Sequence, residues 1–188
     1  GQQANAATIL ADLTEEFPNN ERVWLALYRL ERSQGEEDKA SQTLGNAQAA
    51  LPDSANLKWA AAGEAEQKGD IDAAIAIYEE MYQANSNSVV IANNLASLIS
   101  TYQDDDEALQ RAYSIARRLR GTEVPALQDT YGWIAHRLGN HDEALEYLEP
   151  SASGLPNDPV AQYHLAENYA VLGRDAAALE QYNKVVAL

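Results

Sequence analysis

The feature that most constrains this chain is a turn that recurs with the same punctuation. Gln34-Gly35-Glu36, Lys68-Gly69-Asp70, Leu138-Gly139-Asn140 and Leu172-Gly173-Arg174 each follow apolar residues at helical spacing. Five residues after each glycine stands an alanine: Ala40, Ala74, Ala144 and Ala178. A further turn, Gln103-Asp104-Asp105, lacks the glycine but keeps Ala108 at the same offset from Gln103. The first two of these glycines, and the last two, are about 34 residues apart. An unrelated helical bundle has no reason to repeat its punctuation, so the chain reads as an array of helical hairpins.

Each element of the pattern has a physical reason. Glycine occupies the left-handed position that ends a helix without a Cβ clash. Asp70 and Asn140, just after two of the glycines, are expected to cap the following helix by accepting backbone N–H bonds. The alanine belongs where the two helices of a hairpin approach closest. Pro52 and Pro156 close their repeats, and Pro18 closes an earlier half-repeat, because proline ends one helix and can begin the next turn.

These residues resemble the tetratricopeptide repeat, whose pattern runs from a large residue through Leu-Gly, Tyr, Ala, an aromatic and Ala to Pro. Residues 21–54 supply Trp24, Leu27, Ala40, Leu44, Ala47 and Pro52. Residues 125–158 supply Tyr131, Gly132, Ala144, Leu148 and Pro156, and residues 159–188 supply Leu165, Tyr169, Ala178 and Tyr182. Residues 55–88 keep Ala74 and Tyr78 but carry Met81 and Ser86 at the Ala and Pro positions. Residues 89–124 diverge most, with Leu95 and Ala108 in place, no glycine at the turn, and two extra residues before Pro125. Residues 3–18 read as an orphan second helix. The resemblance implies an all-α fold over 1–188, a right-handed superhelical solenoid of about eleven helices.

Composition narrows the function. The chain holds 29 acidic and 13 basic residues, a net charge of −16. Nucleic-acid binding rests on a Lys/Arg footprint, so DNA and RNA are not expected as partners, nor is an anionic lipid surface. No run of about 18 apolar residues is present to insert in a membrane. There is no cysteine, hence no disulfide, thiol chemistry or zinc ribbon. Gly1 starts in mid-pattern, as expected of an excised fragment.

In the tetratricopeptide family the inner wall of first helices is the usual ligand surface. Its positions, carried over by the resemblance, give Arg22, Arg29 and Arg32, then Asn56, Trp59 and Gln67. They continue with Asn93, Asn94, Ser97 and Ser100, then Asp129, Thr130, Trp133, His136 and Arg137, and end with Tyr163, His164 and Glu167. The three arginines read either as a salt-bridged face or as a carboxylate receptor, and Trp59 either as core or as groove. Asn93 and Asn94 offer donor and acceptor to a peptide backbone, and Trp133 and Tyr163 offer an apolar anchor. The family's dicarboxylate clamp needs lysines that are absent here, so a chaperone C-terminus is not the expected ligand.

No enzyme chemistry is expected. His136, His141 and His164 cluster in sequence, but H-E-x-x-H spacing is missing and no metal or cofactor is predicted. There is no G-x-S-x-G elbow. Asp104-Asp105-Asp106-Glu107 lacks the glycine of a calcium loop and suits a helix N-terminus instead. Arg117, Arg118 and Arg120 sit near the other end of that helix as its complement. The stretch Gln128-Asp129-Thr130-Tyr131-Gly132-Trp133 is similar to the D-T/S-L-G-W motif of bacterial tetratricopeptide lipoproteins that accompany the exosortase/PEP-CTERM system. That similarity implies a scaffold for envelope, exopolysaccharide or protein-sorting assembly, with a periplasmic or envelope setting favoured over the cytoplasm. Its partner is then a protein or peptide segment, and end-to-end pairing of two copies is expected. The alternative is a non-catalytic regulatory or targeting segment of a larger enzyme or polysaccharide export component. Glycan binding on the Trp and Tyr surfaces is a third reading.

Overall fold

The computed structural model describes residues 2–188; Gly1 lies outside them. Among these residues the chain is all-α, with eleven α-helices in sequential antiparallel pairs. They are α1 (Gln2–Glu16), α2 (Glu21–Ser33), α3 (Glu37–Ala50), α4 (Ala55–Lys68), α5 (Ile71–Ala84) and α6 (Val89–Tyr102). After these come α7 (Asp106–Ala116), α8 (Pro125–Arg137), α9 (His141–Gly154), α10 (Pro159–Val171) and α11 (Asp175–Ala187). A short 3₁₀ turn, Arg117–Leu119, follows α7. The chain divides into two compact units, Gly1–Met81 and Tyr82–Leu188. No helix of the described residues is long and apolar enough to cross a membrane.

In the first unit, Asn20 starts α2 by accepting from the Arg22 backbone N–H, and Ser54 starts α4 by accepting from Leu57. The spacing of Trp24, Leu25, Leu27 and Tyr28 then lays one face of α2 inward. Trp24, Leu25, Tyr28, Ala40, Leu44, Ala47 and Leu57 form one core. The Trp24 indole N–H donates to the Pro18 carbonyl at 2.8 Å, tying the turn after α1 to α2. Ala40 and Ala74 have almost no exposed surface, as the hairpin spacing demands.

In the second unit, Ser88, Asp105 and Asp158 cap α6, α7 and α10 with their side chains. Ala135, Ala144, Leu148, Ala152 and Leu165 form its core. Helices α8 and α9 approach closely at Gly132, where an added Cβ would lie 2.8 Å from Leu148 Cγ and 3.2 Å from the Ala144 carbonyl oxygen. The four turn glycines have φ between 68° and 81°, as the repeat pattern requires. Capping departs from expectation at one of the two predicted residues. Asp70 accepts from the Ala73 N–H at 3.3 Å, but the Asn140 side chain makes no cap bond. There only the Asn140 carbonyl serves the helix, taking the Ala144 N–H.

The divergent repeat keeps its hairpin by different means. The residues that precede Pro125 are taken up by the 3₁₀ turn, with Gly121 at φ 74°. Arg120 does not complement the end of α7. Its guanidinium reaches the next hairpin, donating from Nε to Tyr131 Oη at 2.6 Å and from Nη2 to Glu143 at 2.9 Å. Tyr131 donates to the same Glu143 at 2.6 Å, and Tyr113 donates to its other oxygen. Burial works to raise the Glu143 pKa, but bonds from Tyr131, Tyr113 and Arg120 outweigh it and hold the carboxyl below its ordinary value.

Candidate binding clefts on the first helices

In each unit the first helices of the hairpins line an open cleft. That of the first unit measures about 570 Å³ and is walled by α2 and α4. Leu25, Tyr28, Arg29, Arg32 and Ser33 face Asn56, Trp59, Ala60, Gly63 and Gln67 across it. Arg32 is held in place by neutral partners, donating to Tyr28 Oη at 3.3 Å and to Gln67 Oε1 at 2.5 Å. Its Nε lies 3.7 Å from Glu37, which is itself largely exposed. Arg29 is exposed and makes no ion pair among the described residues. Arg22 does not join them; it sits at the start of α2 beside Phe17 and Pro18. Trp59 is groove rather than core: it is 38% exposed and rests edge-on against Tyr78 at 5.6 Å, while Trp24 is buried.

The cleft of the second unit, about 280 Å³, is lined by α6, α8 and α10. Ser97, Ser100, Thr101, Asp129, Thr130, Trp133, Arg137, Val160 and His164 contribute. Here the charged groups find partners in neighbouring repeats, while Asp129 Oδ1 is buried without a hydrogen-bond partner. His164 Nδ1 meets Asp129 Oδ2 at 2.9 Å, which fixes the orientation of the ring. Arg137 donates to the Ser100 carbonyl and, at 2.8 Å, to Asp104, an acid that the sequence pattern placed only at a helix start.

Trp133 is flanked by imidazoles. His164 stacks on it at 4.0 Å and 11°, and His136, one turn along α8, at 5.0 Å and 9°. Much of the indole is thus spent on internal contacts, although it still contributes to the cleft wall. Burial pushes the His136 pKa down, against the Asn168 Oδ1 contact at 2.9 Å, which raises it. Asn168, absent from the sequence expectations, is fully buried and also donates to the His141 carbonyl at 3.0 Å.

The remaining predicted residues lie beside the cleft. Asn93 Nδ2 donates to Asn94 Oδ1 at 3.3 Å, and both are half-buried outside the lining. Tyr163 is exposed, 6.3 Å from Trp133. Glu167 accepts from Tyr182 Oη at 2.6 Å; that bond, then burial, pushes the Tyr182 phenol up to about 12. No group of three or more His, Asp or Glu able to hold a metal occurs among the described residues.

The fold can be set against known proteins. No protein-family model matches the chain, and no curated protein matches it in sequence. Among solved structures, YrrB, a TPR protein with an unusual peptide-binding site, aligns with a TM-score of 0.73 at 18% identity, covering 96% of this chain and 92% of YrrB. A tetratricopeptide repeat protein from Parabacteroides merdae aligns at 0.74 and 17% identity, covering 98% of this chain and 73% of that one. TTC0263 from Thermus thermophilus, a thermophilic TPR protein, gives 0.63 at 21% identity, with 89% and 91% covered. The chain therefore has the tetratricopeptide-like fold, an all-α succession of antiparallel helix hairpins.

Proposed function

We propose that this chain is a non-catalytic scaffold that holds an extended segment of a partner protein along the faces of its first helices. One observation carries the reading. In each unit one open cleft is lined largely by polar and aromatic side chains of first helices, while second helices contribute apolar faces that close the hairpins. Side chains spaced along such a face offer hydrogen bonds and apolar contacts to an extended chain. The peptide-binding site of YrrB, on a similar fold, supports the same use. The five hairpins of residues 21–188 are read as a single array, and the orphan α1 as its first layer. An envelope or protein-sorting setting rests on the Gln128–Trp133 similarity alone, and fractionation of the native organism's cells tests it.

The binding test is a panel of short random peptides displayed on phage and selected on the immobilised chain. Enriched peptides are then titrated against variants of the clefts, Arg29→Ala and Ser97→Trp, and of exposed second-helix positions, Gln110→Ala and Glu146→Ala. The scaffold reading expects loss of affinity with a cleft variant and none with the second-helix pair. Binding lost only with the second-helix pair, or no enrichment at all, overturns it.

A further inference from the structure

We propose that the cleft between α2 and α4 is a receptor for an acidic peptide segment, with an Asp or Glu side chain on Arg29 and an adjacent apolar side chain against Trp59 over Gly63. The proposal rests on the scaffold reading and adds the chemistry of the partner.

Charge is the first argument. The chain carries 29 acidic residues against 13 basic ones, yet the cleft lining holds Arg29 and Arg32 and not one Asp or Glu. In the second unit's cleft, by contrast, Asp129 is met by His164, and Arg137 by Asp104. Arg29 makes no ion pair among the described residues and stands exposed at the cleft wall. Arg32 beside it is oriented by the neutral oxygens of Tyr28 and Gln67, with the largely exposed Glu37 carboxylate 3.7 Å from its Nε. A preset cation gives a carboxylate a geometry that costs little further ordering. A basic segment would meet the unpaired like charge of Arg29 here, with Arg32 beside it.

Gly63 is the second, independent argument. It lies inside α4, where glycine is a poorer helix former than alanine. Nothing in the packing requires it, because a Cβ built there meets no atom within 4 Å. The same helix carries Ala60, Ala61, Ala62 and Ala65, so small helix-forming residues are readily accommodated. What the missing side chain leaves is the open floor between Trp59 and Gln67. Trp59, exposed above that floor and held edge-on by Tyr78, supplies the apolar wall.

The experiment uses the same displayed peptides on the intact chain, then titrates enriched ones as synthetic peptides by fluorescence anisotropy. Three variants are compared: Arg29→Ser, Gly63→Leu, and Arg22→Ser, which removes an equally exposed cation outside the cleft. The expected result is enrichment of Asp or Glu next to Phe, Trp or Leu. Affinity should fall about tenfold or more with Arg29→Ser and with replacement of the peptide acid by its amide. Gly63→Leu should block binding while leaving the thermal melt unchanged or raised, and Arg22→Ser should change affinity less than about twofold. Enriched peptides that are neutral or basic, or an equal loss with Arg22→Ser, overturn the acidic receptor while the scaffold reading stands. No enrichment at all overturns both.

Discussion

The same substitution at two mid-helix glycines should act with opposite sign. Gly132→Ala, in α8, places a methyl group 2.8 Å from Leu148 Cγ and 2.9 Å from Cδ2. Cγ is a branch point and Leu148 has no exposed surface, so the contact cannot be relieved by swinging a free end aside. Overpacking of this kind costs about 1–3 kcal/mol. The gain in helix propensity returns about 1 kcal/mol, leaving a net loss of up to about 2 kcal/mol. Gly63→Ala, in α4, meets nothing and keeps the propensity term alone, a gain of about 0.5–1 kcal/mol. Repeat arrays depart from two-state unfolding, so hydrogen exchange read separately in α4 and α8 is the appropriate assay, with urea unfolding alongside. The reasoning is refuted if Gly132→Ala slows exchange in α8, or if Gly63→Ala speeds it in α4.

Three further outcomes follow from the geometry. Burial holds the His136 pKa below its ordinary 6.5, so the unfolded chain takes up that proton more readily; the associated stability is complete above 6.5 and is lost as the pH falls through the lowered value. Unfolding by urea followed by circular dichroism should show that loss, His136→Gln should remove it, and a further loss below 4.5, from lowered carboxyls including Glu143, should remain. Tyr131→Phe removes the phenol that serves Arg120 and Glu143, and should cost about 1–2 kcal/mol by calorimetry. Pro150, inside α9 and exposed, lacks the N–H its turn calls for; Pro150→Ala should stabilise the helix by up to about 3 kcal/mol and so raise the melting temperature.

The hairpin register was legible because its signals are local. Gly35, Gly69, Gly139 and Gly173 each mark a turn by themselves, and helices α2 to α11 begin within the segments drawn from them. The clefts were legible only in part, because their polar partners come from different repeats. Arg32 finds Gln67, Asp129 finds His164, and His136 finds Asn168, each about one repeat further along the chain. That offset is a usable signal: successive first helices lie side by side, so a residue meets its counterpart one period on. Trp133 looked like a free anchor because its neighbour His164 belongs to the next repeat. Asn140 looked like a cap because residue type alone does not fix the side-chain rotamer that capping needs.

The Arg120–Tyr131–Glu143 cluster bears on how the second unit comes apart. A stack of hairpins opens at its weakest interface, and the hairpin without the usual turn glycine is the natural candidate. Here that hairpin is laced to α8 and α9 by a cation, two phenols and a carboxylate. The link that composition makes weakest is thus welded to its neighbour, and α7 to α9 should open together as one cooperative block.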